Sequence, residues 1–355
     1  MKKLLLLTAL CAAWCAQAQK PNIVGRVTCK GKPVAGVVVS DGELVVRTDS
    51  DGRYEMSSSK PCGYVFMSIP GGYETAADGL IPRFFGYTTH CDLDVIDFQL
   101  EKRSNFTLFV STDTHLRGDP EELDLPQFRK WYLPDISREI ERTKGPVYSL
   151  HLGDMTTDIM WHKNDFALRK YLDVMKTYPS PVFHIPGNHD NERFVDPEIP
   201  DALWDSIAQR PYRQIIGPNY YSFNLGKVHF VMLDNIIVRK GALKNGRRPS
   251  RNDYQLDERQ LRWLGRDLET VGCGTPLVVC MHVPVADWTG IGSDGTHRGV
   301  LHECVNWAAR RISHLRVDTH ADNHVMQRCI LREGFSYCGV IHVADGTPRR
   351  AYERV

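Results

Sequence analysis

The segment PVFHIPGNHD, residues 181–190, changes character at its midpoint. Residues 181–185 are mostly apolar, as in a buried strand, and this run stops at Pro186-Gly187. Asn188, His189 and Asp190 follow at once, so three polar side chains stand at one strand tip. Burying such a cluster is costly unless something bonds to it. The segment therefore predicts a strand that ends in a binding site.

The same pattern recurs at the ends of other predicted strands. Strands are predicted over residues 106–113, 146–154 and 276–285, with a hairpin over 220–235. Helices are predicted near 124–143, 164–178 and 255–271. Further acidic and imidazole side chains stand at or near strand ends, at Asp113, His115, Asp154, His282, Asp318 and His320. Strands alternating with helices predict an α/β fold, in which ligands collect where the strands' carboxyl ends meet the loops.

These side chains together predict a metal centre. One Asp or His at a strand end usually makes a turn or caps a helix, but capping does not explain His beside Asp at three tips. Imidazole and carboxylate suit zinc, iron and manganese, and one carboxylate can bridge two cations about 3.5–4 Å apart. No cysteine belongs to the set, which argues against a structural zinc site.

Composition sets the broad class of the protein. The chain has 355 residues, of which 42% are hydrophobic and 25% charged, and its formal net charge is +1. This length suits two domains at roughly 150 residues each. Because the charge is near neutral and no stripe of Lys and Arg with interleaved aromatics is present, nucleic-acid binding is not expected.

Residues 1–19, MKKLLLLTALCAAWCAQAQ, have the layout of a secretory signal peptide: two lysines, an apolar core and the small-x-small motif Ala16-Gln17-Ala18. The protein is therefore expected to be periplasmic or secreted. Neither Cys11 nor Cys15 follows a small residue, so a lipoprotein is not expected. No other stretch is long and apolar enough to span a bilayer. Export implies an oxidising compartment, and the remaining cysteines could form disulfides in no specified pattern.

Residues 20–102 are expected to form a small all-β sandwich domain, immunoglobulin-like or prealbumin-like, in front of the α/β domain at 103–355. Their β-branched residues alternate with Gly and Asp-Gly turn signals. The phrase GKPVAGVVVSDG resembles the carboxypeptidase-regulatory-like domains of secreted proteins and carries no visible chemistry. Asp49, Asp51 and Gly52 could suggest calcium, but a hairpin turn explains them better.

The ordered motifs over roughly residues 105–325 resemble those of the calcineurin-like metallophosphoesterases: Asp-x-His, Gly-Asp, Gly-Asn-His-Asp and a later His. The resemblance implies a four-layer αββα sandwich with a dinuclear metal site at the strand ends. It assigns Asp113 and His115 to the first metal, Asp154 to both, and Asn188 and His282 to the second. His189 is then expected to act on the substrate, with Asp190 orienting its imidazole ring.

The chain departs from the family pattern near its C-terminus. The expected Gly-His-x-His corresponds to the stretch LRVDTHADNH, in which His320 fits the second His but Asp318 stands at the first. Asp318 could be a substitute ligand, His324 could reach in from the next loop, or the segment could be altered and the activity impaired. The secreted subgroup with this layout also has a trailing domain, which the sequence up to Val355 does not include.

Two functions follow as hypotheses. The first is a secreted metal-dependent phosphoesterase that hydrolyses phosphate mono- or diesters with a hydroxide held by two metal ions, which could be Mn, Fe, Zn or Mg. Its substrate would be a small phosphorylated molecule: a nucleotide, a sugar phosphate, a phospholipid head group or an envelope phosphodiester. The alternative is a non-catalytic surface or ligand-binding protein with a degenerate metal site. Four aromatic residues could rim the cleft, although packing is the simpler explanation for them: Trp204, Tyr220, Tyr221 and Trp288. His297 and Arg298 could either meet a phosphate or lie on a surface loop.

Overall fold

A computed structural model describes residues 20–119, 124–242, 249–272, 274–283, 315–320, 322, 324–332, 334–342 and 347–354. The predicted signal segment at residues 1–19 lies outside the described residues, as do Trp288, His297 and Arg298. Helices in the described part of the chain all lack the length and apolar character needed to cross a membrane. Free thiols are carried by Cys29, Cys62, Cys91, Cys280 and Cys338.

The described residues up to Lys102 form strands and turns, as the sequence predicts. The strands are β1 (Ile23–Cys29), β2 (Lys32–Pro33), β3 (Val38–Ser40), β4 (Val45–Arg47), β5 (Arg53–Met56), β6 (Tyr64–Ser68), β7 (Tyr73–Glu74), β8 (Ala77–Asp78), β9 (Ile81–Pro82), β10 (Phe85–Tyr87), β11 (Asp94–Val95) and β12 (Phe98–Lys102). One sheet has the order β11-β1-β12-β7, with β2 and β5 also paired to β1. A second has the order β10-β6-β3-β4. The Asp49 carboxylate accepts from the backbone N–H groups of Asp51 and Arg53 at 2.9 and 2.8 Å, so these residues form a turn as predicted. The turn connects β4 of one sheet to β5 of the other and does not close a hairpin.

The following region alternates strands with helices. Its first half contains β13 (Thr107–Ser111), α1 (Asp124–Gln127), a π-helix (Phe128–Tyr132), α2 (Leu133–Arg142), β14 (Val147–His151), α3 (Asp158–Lys163), α4 (Leu168–Val174), a 3-10 turn (Met175–Thr177) and β15 (Val182–His184). Its second half contains α5 (Asp201–Ala208), α6 (Arg210–Ile215), β16 (Tyr221–Leu225), β17 (Val228–Leu233), β18 (Ile237–Lys240), β19 (Ser250–Asp253), α7 (Glu258–Glu269) and β20 (Leu277–Met281). The predicted strands, hairpin and helices are all present, with shorter bounds.

Two three-stranded sheets form the centre of this region. The parallel strands β13, β14 and β15 make one, and β16, β17 and β20 make the other. The sheets face each other across a shared core, where the rings of Phe183 and Phe223 stack with centroids 4.0 Å apart. A second core, which includes Leu168 and Tyr171 of α4, packs the first sheet against helices. These layers are the sandwich that the sequence predicts.

The β-rich region packs directly on the α/β region. Trp263 of α7 is fully buried and contacts the rings of Phe66 and Tyr220, so it joins residues of both regions in one core. The Tyr64 hydroxyl donates a hydrogen bond to the Asn219 side chain at 2.7 Å. Because apolar and polar contacts both cross this boundary, the β-rich region supports the second sheet from behind.

The remaining described elements are β21 (Leu315–His320), α8 (His324–Arg332), β22 (Ser336–His342) and β23 (Pro348–Arg354). The strands form a sheet in the order β21-β23-β22. Asp318 and His320 lie on β21, where their backbones pair with Ala351 and Arg349. Their side chains lie outside the described part of the chain, so their assignment as ligands stays a prediction. His324 is exposed at the start of α8, in agreement with the simpler reading of it as a surface histidine.

Candidate metal centre

Strand register brings the first three motifs together. Ser111, His151 and His184 are paired across β13, β14 and β15, and all three strands run in the same direction. The segments that follow them therefore leave the sheet at one edge, carrying Asp113, Asp154 and Asn188. The parallel strand β20 ends at Met281 in the second sheet, and His282 follows it.

Three of the predicted ligands have a backbone conformation that non-glycine residues rarely adopt. Asp113, His115 and Asp154 have φ angles of 54, 46 and 54°. Two backbone hydrogen bonds join the segment after β13 to the segment after β14. They run from Asp113 N–H to Gly153 O at 3.0 Å and from His115 N–H to Asp154 O at 2.9 Å. Backbone strain of this kind concentrates at functional sites, where the surrounding structure maintains it.

Gly153 and Gly187 let these turns approach each other. A Cβ on Gly187 would lie 2.1 Å from both the backbone nitrogen and Oδ1 of Asp154. A Cβ on Gly153 would lie 2.6 Å from Gly187 N and 2.7 Å from His282 Nδ1. Both glycines are needed because a side chain at either position would prevent this close approach.

The donor atoms form two groups that share Asp154. One group contains His115, Asp154 and His189, and the other Asp113, Asp154 and His282, with the ligand atoms of each group within 4.8 Å of one another. His115 Nε2 is 3.5 Å from both Asp113 Oδ1 and Asp154 Oδ2. A metal bonded at about 2.0–2.2 Å to N and O ligands separates neighbouring ligands by roughly 3–3.6 Å. The spacing and donor chemistry therefore fit bound cations.

His282 shows the clearest need for a cation. Its Nδ1 lies 2.8 Å from the carbonyl of Leu152, which can only accept, so Nδ1 carries a proton. Its Nε2 then faces two further acceptors, Asn188 Oδ1 at 3.2 Å and Asp154 Oδ2 at 3.4 Å. A neutral imidazole would direct a lone pair at two oxygens, and either a proton or a metal ion removes this conflict.

The pKa shifts of His282 and Asp154 also indicate a positive charge at this position. Burial alone would lower the pKa of His282, but the contact with Asp154 and its negative charge outweigh burial and raise the pKa to about 9. Burial likewise opposes ionisation of Asp154, yet the contacts with His282 and the His189 amide lower its pKa. The pair thus favours an anionic Asp154 beside a positive charge.

The carboxylate that contacts His189 is Asp158, and the prediction that Asp190 orients this ring is wrong. His189 Nδ1 lies 2.6 Å from Asp158 Oδ1, and this hydrogen bond raises the pKa of His189 against the effect of burial. Asp190 is fully buried and accepts from the backbone N–H groups of Gly187, Met155 and Thr156 at 2.9, 3.2 and 3.1 Å. Asp190 therefore connects the loop after β14 to the loop after β15. Burial raises the pKa of its carboxyl group to about 7.

Two residues of the site were missed by sequence reasoning. Asp158 begins α3, and its Oδ2 lies 3.2 Å from Nη1 of Arg193, so one carboxylate holds both His189 and Arg193. The signal available for Asp158 was its place four residues after Asp154, at the start of a helix. Arg193 carried a weaker signal, since it stands only three residues after the Gly-Asn-His-Asp motif.

Comparison with known proteins agrees with this geometry. A family profile described as the N terminal of calcineurin-like phosphoesterase matches residues 21–103. The profile of the calcineurin-like phosphoesterase itself matches residues 106–312, more than half of the chain. The chain belongs to the calcineurin-like phosphoesterase family. No curated protein matches it.

Membership in this family explains why the sandwich fold and the donor groups around Asp154 occur together. Calcineurin-like phosphoesterases are generally metal-dependent hydrolases of phosphoester bonds with a dinuclear metal site and an α/β sandwich fold. The donor groups around Asp154 are the candidate ligands for such a site. The suggested aromatic contacts Trp204, Tyr220 and Tyr221 are at most 3% exposed, so they are packing residues of the family fold.

Proposed function

We propose that this member of the family is an exported phosphoesterase that hydrolyses phosphate mono- or diesters of small molecules. The observation that carries the proposal is the pair of donor groups joined through Asp154. Export rests on the signal-like composition of residues 1–19. In this proposal the mature chain has an all-β domain at 20–102 and a catalytic domain at 103–355.

The proposed roles follow the motif resemblance, whereas the distances alone group Asp113 with His282 and His115 with His189. Asp113 and His115 would hold one metal, Asp154 both, and Asn188 and His282 the other. Asp318 and His320 are proposed to complete the set from β21. Two bound divalent or trivalent ions, of Mn, Fe, Zn or Mg, would polarise the phosphoryl oxygens and lower the pKa of a water molecule.

The chain's own groups would handle the proton and the orientation. Asp158 holds the Nδ1 side of His189, so in this proposal the Nε2 side, rather than serving as a metal ligand, would give a proton to the leaving oxygen. Asp158 keeps the Nδ1 proton in place and fixes the plane of the ring. Arg193, held by the same carboxylate, adds positive charge where an anionic substrate would approach.

The test combines metal content with hydrolysis. The chain from Gln19 onward is purified, its bound metals are measured by mass spectrometry, and bis-p-nitrophenyl phosphate is compared with p-nitrophenyl phosphate in added manganese or zinc. The expected result is two metals per chain and turnover, and the preferred ester decides between diesterase and monoesterase. Absence of turnover at every metal concentration, with one metal or none, would favour the degenerate-site alternative.

Two glycine variants connect the result to this site. Gly187→Ala places a Cβ against Asp154 and should abolish both metal binding and turnover. Gly272→Ala is the matched control, because the nearest atom to its Cβ is Thr275 Oγ1 at 3.8 Å. Equal metal content in the two variants would contradict the proposed position of the centre.

A further inference from the structure

The candidate ligand His282 depends on a different sheet from the ligands at the strand ends of β13, β14 and β15. It follows β20, which pairs with β17 in the second sheet. The backbone pairing of these two strands ends at Leu233 and Met281, one residue before His282. The position of His282 relative to the first sheet therefore depends on what fixes the chain beyond this last pair.

The side chain of Asn235 continues the pairing where the backbone pairing stops. Two residues beyond Leu233 and Met281, Asn235 stands opposite Val283, which directly follows His282. Asn235 Nδ2 donates to the Val283 carbonyl at 2.6 Å, and Asn235 Oδ1 accepts from the Val283 N–H at 3.1 Å. Asn235 is fully buried and Val283 is buried. One side-chain amide thus satisfies both backbone groups of Val283.

Helix α7 holds the neighbouring residue Asp234 in the same way. Gln260 of α7 is buried; its Nε2 donates to the Asp234 carbonyl at 2.7 Å, and its Oε1 accepts from the Asp234 N–H at 2.9 Å. The backbone N–H of Gln260 in turn donates to the helix-capping carboxylate of Asp257 at 2.7 Å. A continuous series of hydrogen bonds therefore runs from α7 through residues 234 and 235 to Val283.

The imidazole ring of His282 is fixed from the other side by the first sheet. Its Nδ1 donates to the Leu152 carbonyl at 2.8 Å, while its Nε2 lies 3.4 Å from Asp154 Oδ2. A metal ligand has to be held within about 0.5 Å of its productive position. The ring contact with Leu152 fixes one end of the residue, so the backbone end needs a second restraint.

We propose that Asn235 is a positioning residue for the metal centre. Its amide fixes the backbone of Val283 and thereby keeps His282 Nε2 at the distance from Asp154 that a shared ion requires. This inference rests on the proposed function, because it assumes a metal-binding site, and adds a residue to it. Since Asn235 acts through the chain beside His282, its loss should weaken the binding of one ion while the other ion stays bound.

The test is metal affinity, measured by calorimetry on the full mature chain after its metals have been stripped. The wild type and Asn235→Ala are titrated with Mn²⁺ and, separately, with Zn²⁺. Asn235→Ala should weaken one of the two affinities about tenfold, the lower end of the range for residues that support a metal ligand. The other affinity should change less than about threefold. Asn235→Ser, a less drastic truncation, is measured in the same way if the alanine variant does not fold.

Asn22→Ala is the matched control. The Asn22 amide makes the same pair of hydrogen bonds, donating to the Ser58 carbonyl at 2.7 Å and accepting from the Ser58 N–H at 2.8 Å. This pair lies in the β-rich region, so its loss should lower the melting temperature without changing either metal affinity. A change in affinity that is specific to Asn235→Ala therefore reports positioning and not general destabilisation.

A double variant tests whether Asn235 acts through His282. His282→Ala removes the ligand and should lose one ion. Adding Asn235→Ala should then change the affinity for the remaining ion less than about twofold, because no ligand is left to position. Unchanged affinities in Asn235→Ala, equal losses from both sites, or a further large loss in the double variant would overturn the inference while the wild type still binds two ions. A wild type that binds neither Mn²⁺ nor Zn²⁺ would instead overturn the proposed function, and the inference with it.

Discussion

At the scale of single residues, the candidate site is built from conformations that cost free energy. Asp113, His115 and Asp154 each have positive φ, and such backbone conformations cost on the order of 1–3 kcal/mol per residue. Hydrogen bonds between the two turns and from the backbone to Asp190 maintain them. The arrangement directs the side chains toward each other, which is the preorganisation that a metal site requires.

The residue-scale prediction concerns two buried carboxylates with different tasks. Asp158→Asn removes the charge that orients and stabilises protonated His189, so turnover should fall about 10- to 100-fold while metal content stays the same. Turnover and metal mass spectrometry check this together. The predicted effect differs from that of Asp190→Asn, which weakens the anchor of three backbone N–H groups.

Asp190→Asn should lower both the melting temperature and the metal content, because the loops carrying Asp154 and Asn188 lose their common anchor. If this variant kept its metals and lost only turnover, while Asp158→Asn stayed active, the original assignment of Asp190 to His189 would be restored.

At the scale of elements, α7 and β16 both contact the β-rich region. Trp263 packs between Phe66 of β6 and Tyr220 beside β16, and Asn224 of β16 donates a backbone hydrogen bond to Ile69 O at 2.8 Å. Arg266 of α7 also donates to the Glu43 carbonyl at 2.6 Å. One helix therefore shields the outer face of the second sheet and anchors the β-rich region.

We expect Trp263→Ala to lower the free energy of unfolding by about 3–5 kcal/mol, because it leaves a large cavity in a shared core. Urea unfolding followed by circular dichroism measures the change. Trp131→Ala, at an exposed position, should stay within about 0.5 kcal/mol of the wild type. A similar loss in both variants would show that Trp263 has no special place between the two regions.

At the scale of the whole molecule, continuity of the core couples the stability of its parts. Ile23 of β1, Phe183 of β15 and Trp263 of α7 belong to one buried cluster. Buried histidines of the first sheet lie next to this cluster and make its stability depend on pH. Burial lowers the pKa of His151 to about 3 and that of His184 well below its usual value, so both rings are neutral in the folded protein.

The sign of the pH effect follows from these depressed pKa values. Above about pH 6.5, the unfolded histidine pKa, neither state binds a proton and the stability is fully present. As the pH falls toward the folded value, the unfolded chain binds protons that the folded chain excludes, and the free energy of unfolding drops. Each ring should contribute about 1.4 kcal/mol per pH unit in this window.

Urea unfolding between pH 7 and 5 measures how the free energy of unfolding changes with pH. His184→Gln should reduce this slope by the equivalent of about one bound proton. His90→Gln, at an exposed position on the β-rich region, is the control and should leave the slope unchanged. An unaltered slope in His184→Gln would mean that the buried ring does not titrate between the two states.

Several elements and ligands could be predicted because their signals are local in the sequence. The apolar runs before Asp113, Asp154 and Asn188 correspond to β13, β14 and β15, and parallel strands in register leave the sheet at one edge. Gly153 and Gly187 lie directly after two of these runs, where close backbone approach excludes a Cβ. Burial identifies a packing role for Trp204, Tyr220 and Tyr221, for which the sequence also allowed contact with the substrate.

The partner of His189 could not be predicted in this way. The nearest carboxylate along the chain is Asp190, but the turn after Gly187 directs it inward to backbone N–H groups. Asp158 reaches the ring because α3 packs beside the loop that carries His189, a contact between residues 31 positions apart. The same holds for the shared core of the two regions, where Trp263 meets Phe66.

The sequence by itself determined the class of fold, the strands and most of the candidate metal-ligand residues, because strand periodicity and the residue types at strand ends are local properties. Tertiary structure alone decided which carboxylate orients His189, that Arg193 shares this carboxylate, and that the β-rich region shares a core with the sandwich. Those contacts join residues far apart in the chain, and their geometry depends on how whole elements pack, which no local pattern encodes.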